Sequence, residues 1–446
     1  MKRCFLDDLE NKKIIKNNGT LLPKISTDTR TISLGDFYIP LKGENFDGEK
    51  FIESAVASGA VGFVTTSEDI ANAYINDSRV KMIAVVPDTK LAYMELAAAR
   101  IKKLGVKVVG ITGSSGKTTV KEMIYSVLSQ AFKTHKTSLN HNNEIGFCQT
   151  VFEAPEDTEI LVLEMGMRGF GEIELIAKYA NLTIGVVTNV GTAHIGRLGS
   201  RENIALAKCE IAKFLSKEGF FVAHNDELIK NVINFSGEKS YYSIKDVEIT
   251  SQEIGKTSFE YLGFDYTIPI EGLHNVENAL SAILIGRKFG MNENQINQGL
   301  LAYHTIENRW NVDSVGRFKI INDCYNANPE SMKATISTIL TLYPNPTLIL
   351  GDMGELGDES EKYHLEVGEF INSHKAKNGK IVLITVGTFA KKIFETVDCL
   401  DKQHFETIEK VSDYILKNNN IGNILFFKAS RSMKFERIIE KLKGDF

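Results

Sequence analysis

The 446-residue chain has little proline, 8 residues, and only five cysteines, Cys4, Cys148, Cys209, Cys324 and Cys399, widely separated and without a CxxC pair. That spacing excludes a zinc ribbon or a redox dithiol and reads as reduced thiols. No run is long and apolar enough to cross a bilayer, which argues against membrane insertion. The opening MKRCFLDDLENKK lacks the apolar core and cleavage site of an export signal, so a cytoplasmic location is expected. A net charge of −5, spread along the chain, gives no basic footprint for nucleic acid. Repeats and low-complexity tracts are missing as well.

What is present is the composition of a folded protein, 43% hydrophobic and 24% charged. The length exceeds what one core usually organises, so several domains are expected. Up to about residue 100, short β-like runs (GDFYIPL, GFVTT, MIAVV) flank a helical stretch, EKFIESAVASG. The segment KLAYMELAAARIKKLG then has helical spacing and closes on Gly105. From Val106 the runs EILVLEMG, LTIGVVTNVG and GFFVAHND alternate with helical segments such as RENIALAKCEIAKFLSK. That alternation predicts a mostly parallel sheet covered on both faces. A β-rich interlude from about 239 to 270 precedes a helix starting near His274. A third α/β unit follows from about Trp310, with FKIINDC, PTLILGD, KIVLITVG and NILFFKAS as strands. The expected fold is therefore α/β in three unequal domains, at 1–100, 101–308 and 309–446.

The stretch GITGSSGKTTVKEMI places a glycine loop between a strand and a helix. Phosphate binding needs that order, because glycines turn backbone N–H groups towards phosphate oxygens and the helix N-terminus adds partial positive charge. Gly113, Ser114, Ser115, Gly116, Lys117, Thr118 and Thr119 form the loop. Lys117 is placed to neutralise β and γ phosphates and the Thr118 hydroxyl to reach magnesium. The usual first glycine is missing, since Ile111 stands in its place.

Three further residues bear on the chemistry, each with a plain alternative. Glu164 ends a buried run, where ligands bind in open α/β sheets, or is a loop carboxylate. His194, in TNVGTAHIG, is a ligand or a bystander. Lys208 falls on the apolar face set by Ile204, Ile211 and Leu215. It is either paired or modified there, or it snorkels to water, whereas Lys213 and Lys217 have ordinary solvated positions.

Together these features resemble the Mur ligases, ATP-dependent amide-forming enzymes of bacterial cell-wall precursor synthesis. Residues 112–119 match that family's short T-G-x-x-G-K-T-[TS] loop, which lacks the same glycine. The resemblance implies a small N-terminal substrate domain, a central P-loop ATPase-like domain with a mostly parallel sheet, and a Rossmann-like C-terminal domain that closes over the reactants. It implies ATP and two Mg2+ sites, with Thr118 and Glu164 at one and His194 and Lys208 at the other, Lys208 being carried as a carbamate. Lys117, Glu164, His194 and Lys208 become the catalytic set.

The likeness covers nearly the whole chain and is greatest to the family's last-acting type, which joins D-alanyl-D-alanine to UDP-N-acetylmuramoyl-tripeptide. It implies uridine-sugar contacts from Ser26, Thr27, Asp28, Arg30, Lys42, Phe46 and Asp47, in STDTRTISLGDFYIPLKGENFDGEKFI. GLHNVENALSA supplies His274, Asn275 and Asn278 on the adenine side, and ENRW supplies Arg309 near a hinge. INDCYNANPESM and LGDMGELGDESEKYH resemble two segments of the last domain, giving Asp323 at the nucleotide and Tyr325, Asn326, Asn328 and Ser331 around the acceptor. LNHNNEIG retains Asn140, Asn142, Asn143 and Glu144 of the family's GNLNNEIG but carries Leu139 and His141, and FCQT stands for the usual VPLT. KASRSM has Ala429 for glycine beside Ser430 and Arg431.

The implied reaction phosphorylates the tripeptide carboxylate, and the amine of D-alanyl-D-alanine then displaces phosphate, with hinges near 100–106 and 306–312 in a monomer. Other readings are a Mur-like ligase of pseudomurein or polyglutamate type, a non-catalytic nucleotide-binding paralogue, and a motor or signalling ATPase.

Overall fold

The computed structural model describes residues 5–18, 23–43, 45–138, 140–374, 379–398 and 401–444. Cys4, Leu139 and Cys399 lie outside the described residues. The chain forms two compact units, one of residues 1–110, 133–165 and 174–183, the other of 111–132, 166–173 and 184–446.

The first unit holds a five-stranded sheet ordered Lys13–Asn17, Met82–Val85, Gly62–Thr65, Phe37–Tyr38 and Ile25–Ser26. Only the first pair is antiparallel. Tyr38, Ile52, Val56, Phe63 and Ile83 pack its core, matching the apolar runs of the sequence. The helix Thr89–Leu104 starts on the Asp88 side chain, which accepts the Leu91 N–H, and stops at Gly105 in the left-handed region, φ 69°. Tyr93 on this helix stacks on Phe152 of the helix Glu144–Glu153, with ring centres 5.6 Å apart. The strands Thr134–Lys136 and Ile160–Glu164 pair in parallel, and the second is buried throughout. Such a continuous apolar strand belongs in a sheet covered on both faces.

The strand Lys107–Thr112 closes the first unit and opens the second, where it delivers the glycine loop. Ile184–Val187, Phe220–His224 and Glu238–Tyr242 run parallel. The helix Lys117–Leu128 packs against Leu273–Lys288 and Glu293–Leu301. The β-rich interlude is an antiparallel sheet of Glu248–Glu253, Lys256–Tyr261 and Phe264–Ile268. The C-terminal domain has six strands, ordered Asn311–Val315, Phe318–Asn322, Ile424–Lys428, Pro346–Gly351, Val382–Val386 and Lys402–Phe405, parallel after the first pair.

Two edge strands, Asn311–Val315 and Lys402–Phe405, were not expected, since neither has the apolar run that marks the inner four. The helix expected through residue 217 ends instead at Cys209 and tightens to a 3-10 turn over Glu210–Ala212. The Glu210 carboxylate accepts the Gly171 N–H at 2.9 Å and ties that last turn to the neighbouring loop. No helix among the described residues is long and apolar enough to cross a membrane.

Candidate active site

Strand Lys107–Thr112 and helix Lys117–Leu128 hold the glycine loop between them. Gly116 is the helix N-cap with φ 77°, and a Cβ there would come within 2.6 Å of the Asn278 carboxamide oxygen. Only glycine fits that combination of backbone and neighbour. The Lys117 ammonium donates to the Gly113 carbonyl at 2.8 Å and so lies curled over the loop. Thr118 is buried at the helix start, and the Thr119 hydroxyl meets the phenol of Tyr303.

A second strand end grips the same loop. The Ser115 N–H donates to Asn189 Oδ1 at 2.9 Å, the Thr188 hydroxyl donates to the Ser115 carbonyl at 2.6 Å, and the Gly191 N–H donates to Ser114 Oγ at 2.9 Å. Thr188 and Asn189 stand in the TNVG run that led to His194, yet neither residue type nor spacing singled them out.

Lys208 is 1% exposed, on the face with Ile204 and Ile211, whereas Lys213 and Lys217 are exposed. Burial holds its ammonium well below the ordinary lysine range, and the positive charge of Lys117 pushes it the same way. No carboxylate among the described residues pairs with it. His194 lies at the N-cap of Ile195–Leu198, φ 68°, and its Nδ1 is 2.7 Å from Glu355 of the C-terminal domain. The hydrogen bond to His194 holds the Glu355 carboxyl below its ordinary value.

The remaining positions divide between chemistry and scaffold. Arg309 lies over the Tyr325 ring, 4.0 Å from its centre, and Arg431 is 6.0 Å from the same ring. Asp323 is hydrogen-bonded to the buried ammonium of Lys428, a residue in the KASRSM segment that was not singled out, and that ammonium also donates to the Asn326 carbonyl at 3.3 Å. Asn328 and Ser331 cap the helix Pro329–Leu342 reciprocally. Ser430 takes its N–H to the Asp352 carbonyl at 2.9 Å. Desolvation drops the His274 imidazole to about 4, and its ring meets Trp310 edge-on. Asn275 donates to the Glu271 carbonyl at 2.8 Å. The linker bears left-handed backbone at two non-glycine residues, Asn308, φ 61°, and Trp310, φ 54°.

In the first unit, Asp28 and Arg30 form a two-pronged ion pair, with contacts of 2.9 and 2.6 Å, that holds the Asp28 carboxyl at about 2. Ser26 Oγ donates to the Asp28 carbonyl at 3.0 Å, and Thr27 lies between them, half-buried. Lys42 and Asp47 face each other across a small hairpin, and Phe46 stacks on Phe51. Tyr38 was missed: burial, with the charges of Asp28 and Asp47, lifts its phenol to about 12, so it lies between the two acidic segments. Asn142 donates to Glu164 Oε1 at 3.2 Å, Asn143 caps the helix Glu144–Glu153, and Asn140 sits in the preceding turn with its carbonyl accepting the Asn142 N–H at 2.8 Å.

Three family profiles match the chain in succession: "Mur ligase family, catalytic domain" over 23–108, "Mur ligase middle domain" over 111–286, and "Mur ligase, glutamate ligase domain" over 308–431. The UDP-N-acetylmuramoyl-tripeptide--D-alanyl-D-alanine ligase of Bacillus subtilis is 39% identical, across 95% of this chain and 93% of that one. Among solved structures, MurF from Acinetobacter baumannii superposes with a TM-score of 0.83 at 29% identity, covering 94% of this chain and 93% of that one. The MurF ligase of Thermotoga maritima in complex with ADP gives 0.82 at 26%, covering 95% and 97%.

Proposed function

The chain belongs to the Mur ligase family, and from that premise we propose that it joins D-alanyl-D-alanine to UDP-N-acetylmuramoyl-tripeptide with conversion of ATP to ADP and phosphate. The observation that carries this reading is a buried Lys208 set beside the phosphate-loop lysine in a chain so similar to a named ligase.

A carboxylate resists attack by an amine at neutral pH because its leaving group would be oxide. Transfer of the γ-phosphoryl group to the tripeptide's terminal carboxylate, with ADP leaving, gives an acyl phosphate. The free amine of D-alanyl-D-alanine adds to its carbonyl carbon and loses a proton, and the tetrahedral adduct expels phosphate carrying one oxygen of the former carboxylate. Lys117 and the N-terminal dipole of helix Lys117–Leu128 neutralise phosphate charge, while Gly113, Ser114, Ser115, Gly116 and Thr119 shape the loop. Asn278 closes it from the adjoining helix, with His274, Asn275, Arg309 and Asp323 on the nucleotide side.

The donor set suits Mg2+. Thr118 and Glu164 offer the hard oxygen donors that Mg2+ prefers, and the His194 nitrogen, a softer donor, would be a supplementary ligand only. No group of three or more His, Cys, Asp or Glu side chains among the described residues forms a metal cluster, and a further anionic ligand would complete the set. Lys208 supplies it as a carbamate. Its depressed ammonium yields the neutral amine that reacts with CO2, and the product replaces a buried cation with an anion. Bound Mg2+ would offset charge on the phosphoryl oxygens.

Ser26, Thr27, Asp28, Arg30, Lys42, Phe46 and Asp47 take the nucleotide-sugar, with Asn140, Asn142 and Asn143 near its peptide. Tyr325, Asn326, Asn328, Ser331, Ser430 and Arg431 take the acceptor. The functional boundaries fall near residues 100 and 308, and the enzyme works as a cytoplasmic monomer. A screen of nucleotide-sugar peptides against D-alanyl-D-alanine and other amines, read by ADP release and product mass, tests the assignment. Preference for another acceptor, or amine-independent hydrolysis, contradicts it.

A further inference from the structure

The loop bearing His194 is held from both sides. Its first residues, Thr188, Asn189 and Gly191, are bonded to Ser114 and Ser115 of the phosphate loop. Its later residues are clasped by the C-terminal domain. The Thr192 hydroxyl donates to Glu330 Oε2 at 3.0 Å, Glu355 lies 2.7 Å from His194 Nδ1, and the Gly196 N–H donates to the Glu355 carbonyl at 3.3 Å. Gly196 and Gly357 meet backbone to backbone, so that a Cβ on Gly196 would sit 2.7 Å from the Gly357 nitrogen and one on Gly357 2.8 Å from the Gly196 Cα.

Both partners in the His194–Glu355 contact have left-handed backbone, φ 68° and φ 64°. For a residue with a Cβ, that conformation is disfavoured, because the Cβ crowds the following carbonyl oxygen. His194 does not recover that cost as a helix cap, since its side chain makes no capping hydrogen bond. What the two conformations accomplish together is the contact between carboxylate and imidazole. A carboxylate only accepts, and Glu355 Oε2 is the oxygen that approaches Nδ1, which makes no other hydrogen bond among the described residues, so the contact favours the proton on Nδ1 and the lone pair on Nε2.

We propose that Glu355 is a positioning residue for the ligation: it fixes His194 as the Nδ1–H tautomer, and its place on the C-terminal domain makes that orientation conditional on docking of the domain onto residues 188–199. This rests on the ligase reading, in which His194 serves the metal-holding set.

The test uses the full chain as Glu355→Ala and as Glu355→Gln, whose amide oxygen can still accept from Nδ1. For Glu355→Ala, kcat is expected to fall about 10- to 100-fold with KM for ATP within about twofold, and Glu355→Gln recovers most of the loss. With 15N-histidine labelling and His194 assigned through His194→Asn, wild type and Glu355→Gln show the Nδ1–H tautomer, and Glu355→Ala a mixture. An unchanged tautomer in Glu355→Ala, with or without a fall in kcat, overturns the proposal. Failure of the wild type to form the amide would overturn the ligase reading instead, and the tautomer result would still decide whether Glu355 orients His194.

Discussion

Asn189 holds Ser115 at both of its backbone groups, accepting the N–H at 2.9 Å and donating to the carbonyl at 3.1 Å. The phosphate loop is thus shaped by a side chain that touches no phosphate in the proposed mechanism. Asn189→Ala leaves a turned backbone without these partners, a loss of about 1–3 kcal/mol. Calorimetric titration is expected to show ADP binding weakened roughly tenfold or more, with Thr188 still holding the Ser115 carbonyl. Unchanged affinity would mean the loop keeps its shape unaided.

Lys208→Ala removes the buried amine without disturbing Lys117. Turnover is expected to fall at least about 10²–10³-fold, with ADP binding retained and partial recovery on adding short carboxylates. In 13C-bicarbonate the wild type should show a carbamate resonance that the variant lacks. Wild-type turnover in the variant would remove Lys208 from the chemistry.

Gly196→Ala and Gly357→Ala each put a methyl group where the opposing backbone lies. The neighbours are backbone atoms and cannot swing aside, so docking should suffer while the phosphate loop is spared. Each variant is expected to bind ADP normally and to lose kcat. Normal kcat in both would show that this contact is dispensable to turnover.

Much of this was legible in the sequence because periodicity and loop spacing carry local information. The inner strands were apolar runs, Lys208 shared a face with Ile204 and Ile211, and the glycine loop announced its strand and helix. Partnerships across long chain separations were not legible. Glu355 and Glu330 stand inside segments read as characteristic, but only the fold brings one to His194 and the other to Thr192. Asn143, Asn328 and Asp28 were named on the substrate side by family resemblance, and the structure adds a capping task for each that residue type alone did not assign. The strands Asn311–Val315 and Lys402–Phe405 lack a buried run because edge strands need none.

His224 Nε2 lies 3.1 Å from Glu277, which joins a central strand to the helix carrying His274 and Asn278. The hydrogen bond to Glu277 raises the His224 pKa above 6.5; for Glu277, desolvation by burial is the largest single cause and pushes upward, but the bond to His224, its charge and the Ile244 N–H together outweigh it and leave the carboxyl below 4.5. The pair's stabilisation is therefore full between about pH 4.5 and 6.5. It fades as pH rises through the raised histidine value, and at the acid end as pH falls through the depressed carboxyl value. His224→Gln should lower the unfolding midpoint most within that window and little at about pH 8. A constant difference across the range would contradict this assignment.

The central claim is that ATP energy passes through a phosphorylated carboxylate. The direct measurement is mass analysis of the phosphate released when the tripeptide carboxylate carries 18O. One labelled oxygen in phosphate for each amide formed is the result expected, and unlabelled phosphate accompanying amide formation would contradict the account.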